Sequence, residues 1–145
     1  MTGKSQPFAN QYLQVFFNST ASSSVGIFGS ATAALTQYWI SLHTGAPGTA
    51  SARQDLNETT YTGYARQAVT RQTAGFTVST NSVTLAANVT FATCSSSGQT
   101  ISWFGIGSTS TTTGYLYYAG TCTPTITTDL GVIPTLTTGT TVTEN

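Results

Sequence analysis

The chain has 145 residues, with four Lys or Arg, four Asp or Glu and one His, so its formal net charge is zero, while Ser and Thr make up about a third of it. So few ionisable groups leave little for acid–base or metal chemistry. Four scattered cations make no phosphate-binding patch, and no apolar run approaches the roughly 20 residues that span a bilayer. The length suits one packed domain, and the lack of net charge favours association over a free monomer.

The opening Met1-Thr2-Gly3-Lys4-Ser5-Gln6-Pro7 has no hydrophobic run after its lysine, which reads as no secretory signal and as folding in a cytoplasm. Phe8, Tyr12, Val15 and Phe16 recur at helical spacing, behind a proline suited to a first turn. Asn18 to Ser24 then reads as a flexible break. The expectation is a short N-terminal helix or arm with its linker over residues 1–30, followed by one domain over 31–145. Two readings stay open for that helix: packed on its own sheet, or docked on a neighbouring subunit.

Beyond Ala33 the pattern is β. Leu35 to His43 is rich in aromatic and branched residues and is closed by Gly45, Pro47 and Gly48. Ser51 to Thr62, with Arg53, Asp55 and Glu58, reads as a surface loop, and Tyr64 to Thr70 alternates as a half-buried strand does. Phe76–Val78 and Val83–Leu85 flank a turn at Thr80-Asn81-Ser82. Further strands are expected at Val89–Cys94, Ile101–Gly107, Tyr115–Gly120, Thr125–Thr127 and Thr141–Thr143. About six to nine short strands, with turn residues roughly every 8–12 positions, make the expected class all-β, a β-sandwich or jelly roll.

Each group that carries chemistry has a plain structural reading beside it. Asp55 and Glu58 share a loop, which raises a glycosidase carboxylate pair, but a general acid needs burial that a polar loop rarely supplies, so they read as solvated loop charges. His43 has serines around it but no G-x-S-x-G elbow, so it reads as a surface or satisfied residue. Gly105-Ile106-Gly107 lacks a following helix and reads as room for close backbone approach. Cys94 and Cys122 have no companions for zinc; free thiols are the default in a reducing compartment, with a late disulfide as the alternative. Tyr115, Tyr117, Tyr118, Trp39 and Trp103 raise a sugar-binding platform, against core plus interface. Arg66, inside an expected strand, needs partners: an ion pair with Glu58 or a contact between subunits. The expectation is therefore a non-enzymatic protein without cofactor, metal or nucleic-acid ligand.

Several elements resemble a known family. They are Trp39-Ile40-Ser41-Leu42-His43-Thr44-Gly45-Ala46-Pro47-Gly48 with its L-x-T-x-x-P pattern, and Asn57-Glu58-Thr59-Thr60-Tyr61-Thr62-Gly63-Tyr64-Ala65-Arg66. Asn88 to Phe91, Ile101 to Gly107, Gly114 to Gly120 and Thr137 to Glu144 follow. This order resembles the small virion structural proteins of tailed bacteriophages, a family labelled as tail-fibre or head-decoration proteins. The resemblance covers about residues 35–144 and leaves out Met1 to Ser30. It implies a capsid decoration (cement) protein on the outer surface of the virion, made in the host cytoplasm. Such a protein would be bound to the major capsid protein and to copies of itself, as a trimer sooner than a dimer. A tail or tail-fibre component is the alternative. Phe8, Tyr12, Phe16, Phe17 and Arg66 are the candidate contacts with capsid or neighbouring subunit, and the resemblance supplies no catalytic residue.

Overall fold

The computed structural model describes residues 5–19, 35–48, 53–96 and 98–144. Lys4, most of the break at Asn18 to Ser24 and the start of the 51–62 loop lie outside the described residues. Among the described residues every regular element but one is a strand, so the all-β class with a short helix in front is what the chain adopts. By its internal packing the chain forms two compact units. One takes Met1–Thr36, Thr70–Asn88 and Thr137–Asn145, and the other takes Gln37–Val69 and Val89–Leu136.

The first, or helical, unit holds α1 (Gln6–Asn18) and a three-stranded sheet in the order β3 (Phe76–Ser79), β4 (Ser82–Leu85), β9 (Thr141–Thr143). Pro7 sits in the first turn as expected, and the helix ends at Ser19 in a left-handed conformation that returns its N–H to the Gln14 carbonyl. The helix buries Ala9, Leu13 and Phe17, whereas Phe8, Tyr12, Val15 and Phe16 are half-buried. The inward stripe is thus one residue on from the expected one. Both stripes have helical spacing; Phe17 meets Phe76 of β3 with ring centroids 4.8 Å apart, and this contact draws the second stripe inward. Val83 and Leu85 of β4 complete the core. The expected hairpin joins β3 to β4, with Ser79 opposite Ser82, so its turn is Thr80-Asn81, with Thr80 at φ 54°.

No basic residue lies in the last turn of α1. The cation comes instead from distant Arg71, whose Nε donates to the Phe16 carbonyl and whose Nη2 donates to that of Val15 at 2.7 Å. It caps carbonyls that the helix itself leaves unsatisfied and sits at the negative end of the helix dipole.

The second unit contains a sheet in the order β2 (Gln67–Thr70), β1 (Gln37–His43), β6 (Thr100–Gly107), β7 (Leu116–Thr127), and a small ladder of β5 (Val89–Thr90) with β8 (Thr135–Leu136). The β1–β6 register pairs Ile40 with Ile106 and Leu42 with Phe104, which puts these buried side chains with Tyr38 on one face. The strand expected over Val89–Cys94 stops at Thr90. The N–H groups of Phe91 and Cys94 go instead to the carbonyls of Pro134 and Val132. The two strands expected at 115–120 and 125–127 are one, β7, which absorbs the interruption in a register shift opposite Ile101 and Trp103. Pro124 is tolerated because β7 is the last strand in the sheet order.

Candidate interaction surface

On the other face of β1 lie Trp39, Ser41 and His43, opposite Gly107, Gly105 and Trp103 of β6. Apolar residues alternating with Ser and His normally mark a solvated face. Here Ser41 and His43 are both 0 % exposed, because residues 53–58 cross this face as a strap. Arg53 bridges to Tyr115 just before β7, and Glu58 bridges to His43 at the end of β1. Gln54 points inward and is fully buried. Its Nε2 donates to the Trp39 carbonyl at 2.8 Å and to Ser41 Oγ at 3.4 Å, and its Oε1 accepts from the Thr109 N–H at 3.4 Å. A Cβ at Gly107 would stand 2.2 Å from the Gln54 amide, and one at Gly114 (φ +49°) would stand 2.9 Å from it. These glycines give the strap its space, the close approach expected of the Gly105–Gly107 stretch.

Ser41, His43 and Gln54 form one directed chain. A carbonyl can only accept, so His43 Nδ1 donates to the Leu56 oxygen at 2.9 Å, and the neutral ring's Nε2 accepts from Ser41 Oγ at 2.9 Å. Burial pushes the imidazole below its ordinary pKa of 6.5, against the pull of the Leu56 carbonyl and Glu58. The Ser–His distance resembles a nucleophile and its base, but Nδ1 faces a carbonyl instead of a carboxylate and both side chains are closed to solvent. His43 is therefore a satisfied core residue, one of the two readings its sequence context left open.

Glu58 is held on both oxygens. Oε1 accepts from Tyr64 Oη and Arg66 Nε at 2.7 Å each, and Oε2 accepts from Arg66 Nη2 at 2.6 Å. Arg66 also donates to the carbonyls of Thr109 and Thr112 at 3.0 and 2.9 Å and to Thr109 Oγ1 at 3.3 Å, so all five guanidinium donors are used. This is the expected Arg66–Glu58 ion pair. It ties the strap to the 108–114 loop, and the strand expected from Tyr64 begins only at Gln67 because Tyr64 and Arg66 serve this clamp. Tyr64 Oη also accepts the Leu42 N–H at 3.0 Å, and burial together with Glu58 pushes its phenol far above the usual value. A second latch joins Thr59 Oγ1 and the Thr60 N–H to Gln99 Oε1 at 2.6 and 2.8 Å.

With Gln54 turned inward, its neighbours Arg53 and Asp55 turn outward. Arg53 Nε and Nη2 donate to the two Asp55 oxygens at 3.1 and 2.7 Å, which holds the carboxyl below its usual range. Beside them Tyr115 is 59 % exposed. Its ring meets Tyr117 at 5.4 Å, and Tyr117 meets buried Tyr38 at 5.5 Å. The N–H of Tyr115 donates to Ser108 Oγ and its carbonyl accepts from the Ser108 N–H. Of the five rings considered as a platform, Tyr115 alone is exposed; Trp39, Trp103, Tyr117 and Tyr118 are half-buried.

Of the five candidate contact residues, three lie on a half-exposed surface and two are buried. Phe8, Tyr12 and Phe16 share the half-exposed side of α1, with Tyr12 and Phe16 stacked at 6.0 Å. Phe17 lies inside the helical unit, and Arg66 lies inside the clamp of the other. Sequence reasoning missed Gln54, Thr59 and Thr128 as buried polar anchors. Among the described residues no buried side-chain nitrogen or oxygen lacks a partner, and no cluster of three metal-binding side chains occurs.

A family model described as podophage GP4 fiber I protein gp80 matches residues 4–143. The chain belongs to this fibre family. It is a structural protein of a tailed-bacteriophage virion, and the match takes in the N-terminal helix that the earlier resemblance left out. A comparison with curated proteins returns no match. Among the described residues, no helix of this fibre-family chain is long and apolar enough to cross a membrane.

Proposed function

We propose that the chain is a non-enzymatic subunit of a fibre on the outside of the virion, assembled with copies of itself, as a trimer sooner than a dimer. The observation that carries this reading is the match to a fibre protein over residues 4–143. The surface chemistry supports it. A chain with zero net charge and abundant hydroxyls lacks the repulsion that keeps monomers apart. The half-exposed Phe8, Tyr12 and Phe16 side of α1 offers the aromatic contact that subunit interfaces favour. Closure of Ser41 and His43 from solvent supports the non-enzymatic part.

A second placement is on the head, as a decoration protein bound to the major capsid protein. The same neutral, aromatic-bearing surface favours it, since many weak copies on a symmetric shell bind through avidity. Antibody labelling of intact virions, with blotting of separated heads and tails, distinguishes the two. Signal confined to tails or fibres upholds the fibre subunit. Signal confined to heads, with copies added back to stripped capsids at lattice positions, replaces it with decoration. Sedimentation equilibrium of the purified chain tests the trimer.

A further inference from the structure

We propose that Tyr115, Arg53 and Asp55 form a binding site for a neutral hexopyranose, an inference that goes beyond the placement in the virion and holds for either. The first support is the ring itself. Tyr115 is 59 % exposed and yet not a loose side chain: Tyr117 and, behind it, buried Tyr38 prop it at centroid spacings of 5.4 and 5.5 Å. A rigid, half-wet ring loses little freedom on binding, and its flat apolar face matches the C–H face of a pyranose.

The second support is what stands next to that ring. Arg53 lies directly across a β-bridge from Tyr115, so the two side chains leave the same face of the ribbon. Arg53 is 52 % exposed on its side chain, and its fork is fixed by the two bonds to Asp55. Asp55 accepts one of these bonds on each oxygen, and each oxygen has a second lone pair. The pair therefore presents planar donors and acceptors suited to adjacent sugar hydroxyls, with the charges cancelling. A site with no net charge favours neither a phosphate nor a cation; it suits an uncharged, hydroxyl-rich ligand with one apolar face. The backbone beneath is fixed by buried Gln54, so the geometry is set before a ligand arrives.

Saturation-transfer-difference NMR on the purified full chain tests this with methyl glycosides of glucose, galactose, mannose, N-acetylglucosamine and rhamnose, one at a time. The expected result is transfer to the ring protons on one face of at least one glycoside. That affinity should fall about tenfold or more in Tyr115→Ala and in Asp55→Asn, and survive in Tyr115→Trp and in the remote Leu130→Ala. Melting curves confirm that each variant is folded. Silence across the whole panel overturns the proposal, as does transfer that Tyr115→Ala leaves unchanged. Because the readout uses the isolated chain, neither outcome bears on whether heads or tails carry it.

Discussion

The two units solve the same problem with opposite chemistry. The helical unit closes on side chains: Leu13 and Phe17 of α1 against Phe76, Val83 and Leu85, with Arg71 capping the helix end. The strapped unit has an apolar face on its sheet as well, but it closes its second face with Ser41, His43, Gln54, Glu58 and Arg66. Apolar packing is tolerant, since a different methyl group costs little if volume is kept. A buried polar clamp is intolerant, because removing one member strands the rest without water. The strapped unit should therefore answer to single polar changes far out of proportion to their size.

The sharpest test of that difference is Glu58→Ala. It leaves the Arg66 guanidinium buried without its counter-charge, and the expected loss is about 3–5 kcal/mol in urea unfolding. Replacing both partners, as Glu58→Leu with Arg66→Met, should return much of that loss, since the penalty comes from the stranded charge. A double variant no better than the single one would mean that the pair holds the fold by net attraction, and the contrast with the helical unit would weaken. Both tryptophans lie in the strapped unit, so their fluorescence reports it, while far-UV circular dichroism includes α1 of the other.

The matching cut in the helical unit is Phe17→Ala, with an expected loss of about 3–4 kcal/mol from lost transfer energy and the cavity left against Phe76. Phe17→Leu should cost far less, which Glu58→Gln should not by comparison, because the amide keeps the shape but not the charge. Equal tolerance in the two conservative variants would erase the distinction. Below these comes Arg71→Met, with an expected loss of about 1–2 kcal/mol that appears first as reduced helix signal.

What was legible in the sequence follows the same division. The α1 helix, the β3–β4 hairpin and β9 could be read from periodicity and turn residues, because local patterns and apolar faces set them. The helix face came out one stripe off, since two adjacent apolar stripes have the same period and only Phe76 decides between them. In the strapped unit the partner of Arg66 was legible from charge scarcity: few acids are available to pair with it. Gln54 was not. A glutamine in a polar loop carries no mark of burial, and the one available signal was Gly107 and Gly114, whose missing side chains leave the space it fills. Likewise nothing in the sequence marked Ser41 and His43 for joint burial, because residues 53–58, which cover them, read as a polar loop with no β pattern of their own.

The smallest expected effect separates the units by pH. Burial holds His43 below its ordinary value of 6.5, so as pH falls the unfolded chain takes up this proton before the folded one. The stability that the neutral ring contributes is complete above about pH 6.5 and is lost progressively below it, at no more than about 1.4 kcal/mol per pH unit. The groups that face the ring are Glu58, Arg66, Ser41 and the Leu56 carbonyl. Protonation forces Nε2 to become a donor, which reverses the Ser41 bond and sets the cation near Arg66. Asp55, held below 3.8 by Arg53, adds its own loss only at more acidic pH. Tryptophan-detected melting from neutral down to about pH 5 should thus fall in the wild type and flatten in His43→Asn. An identical slope in the variant would place the acid sensitivity elsewhere and leave the buried histidine a silent part of the strap.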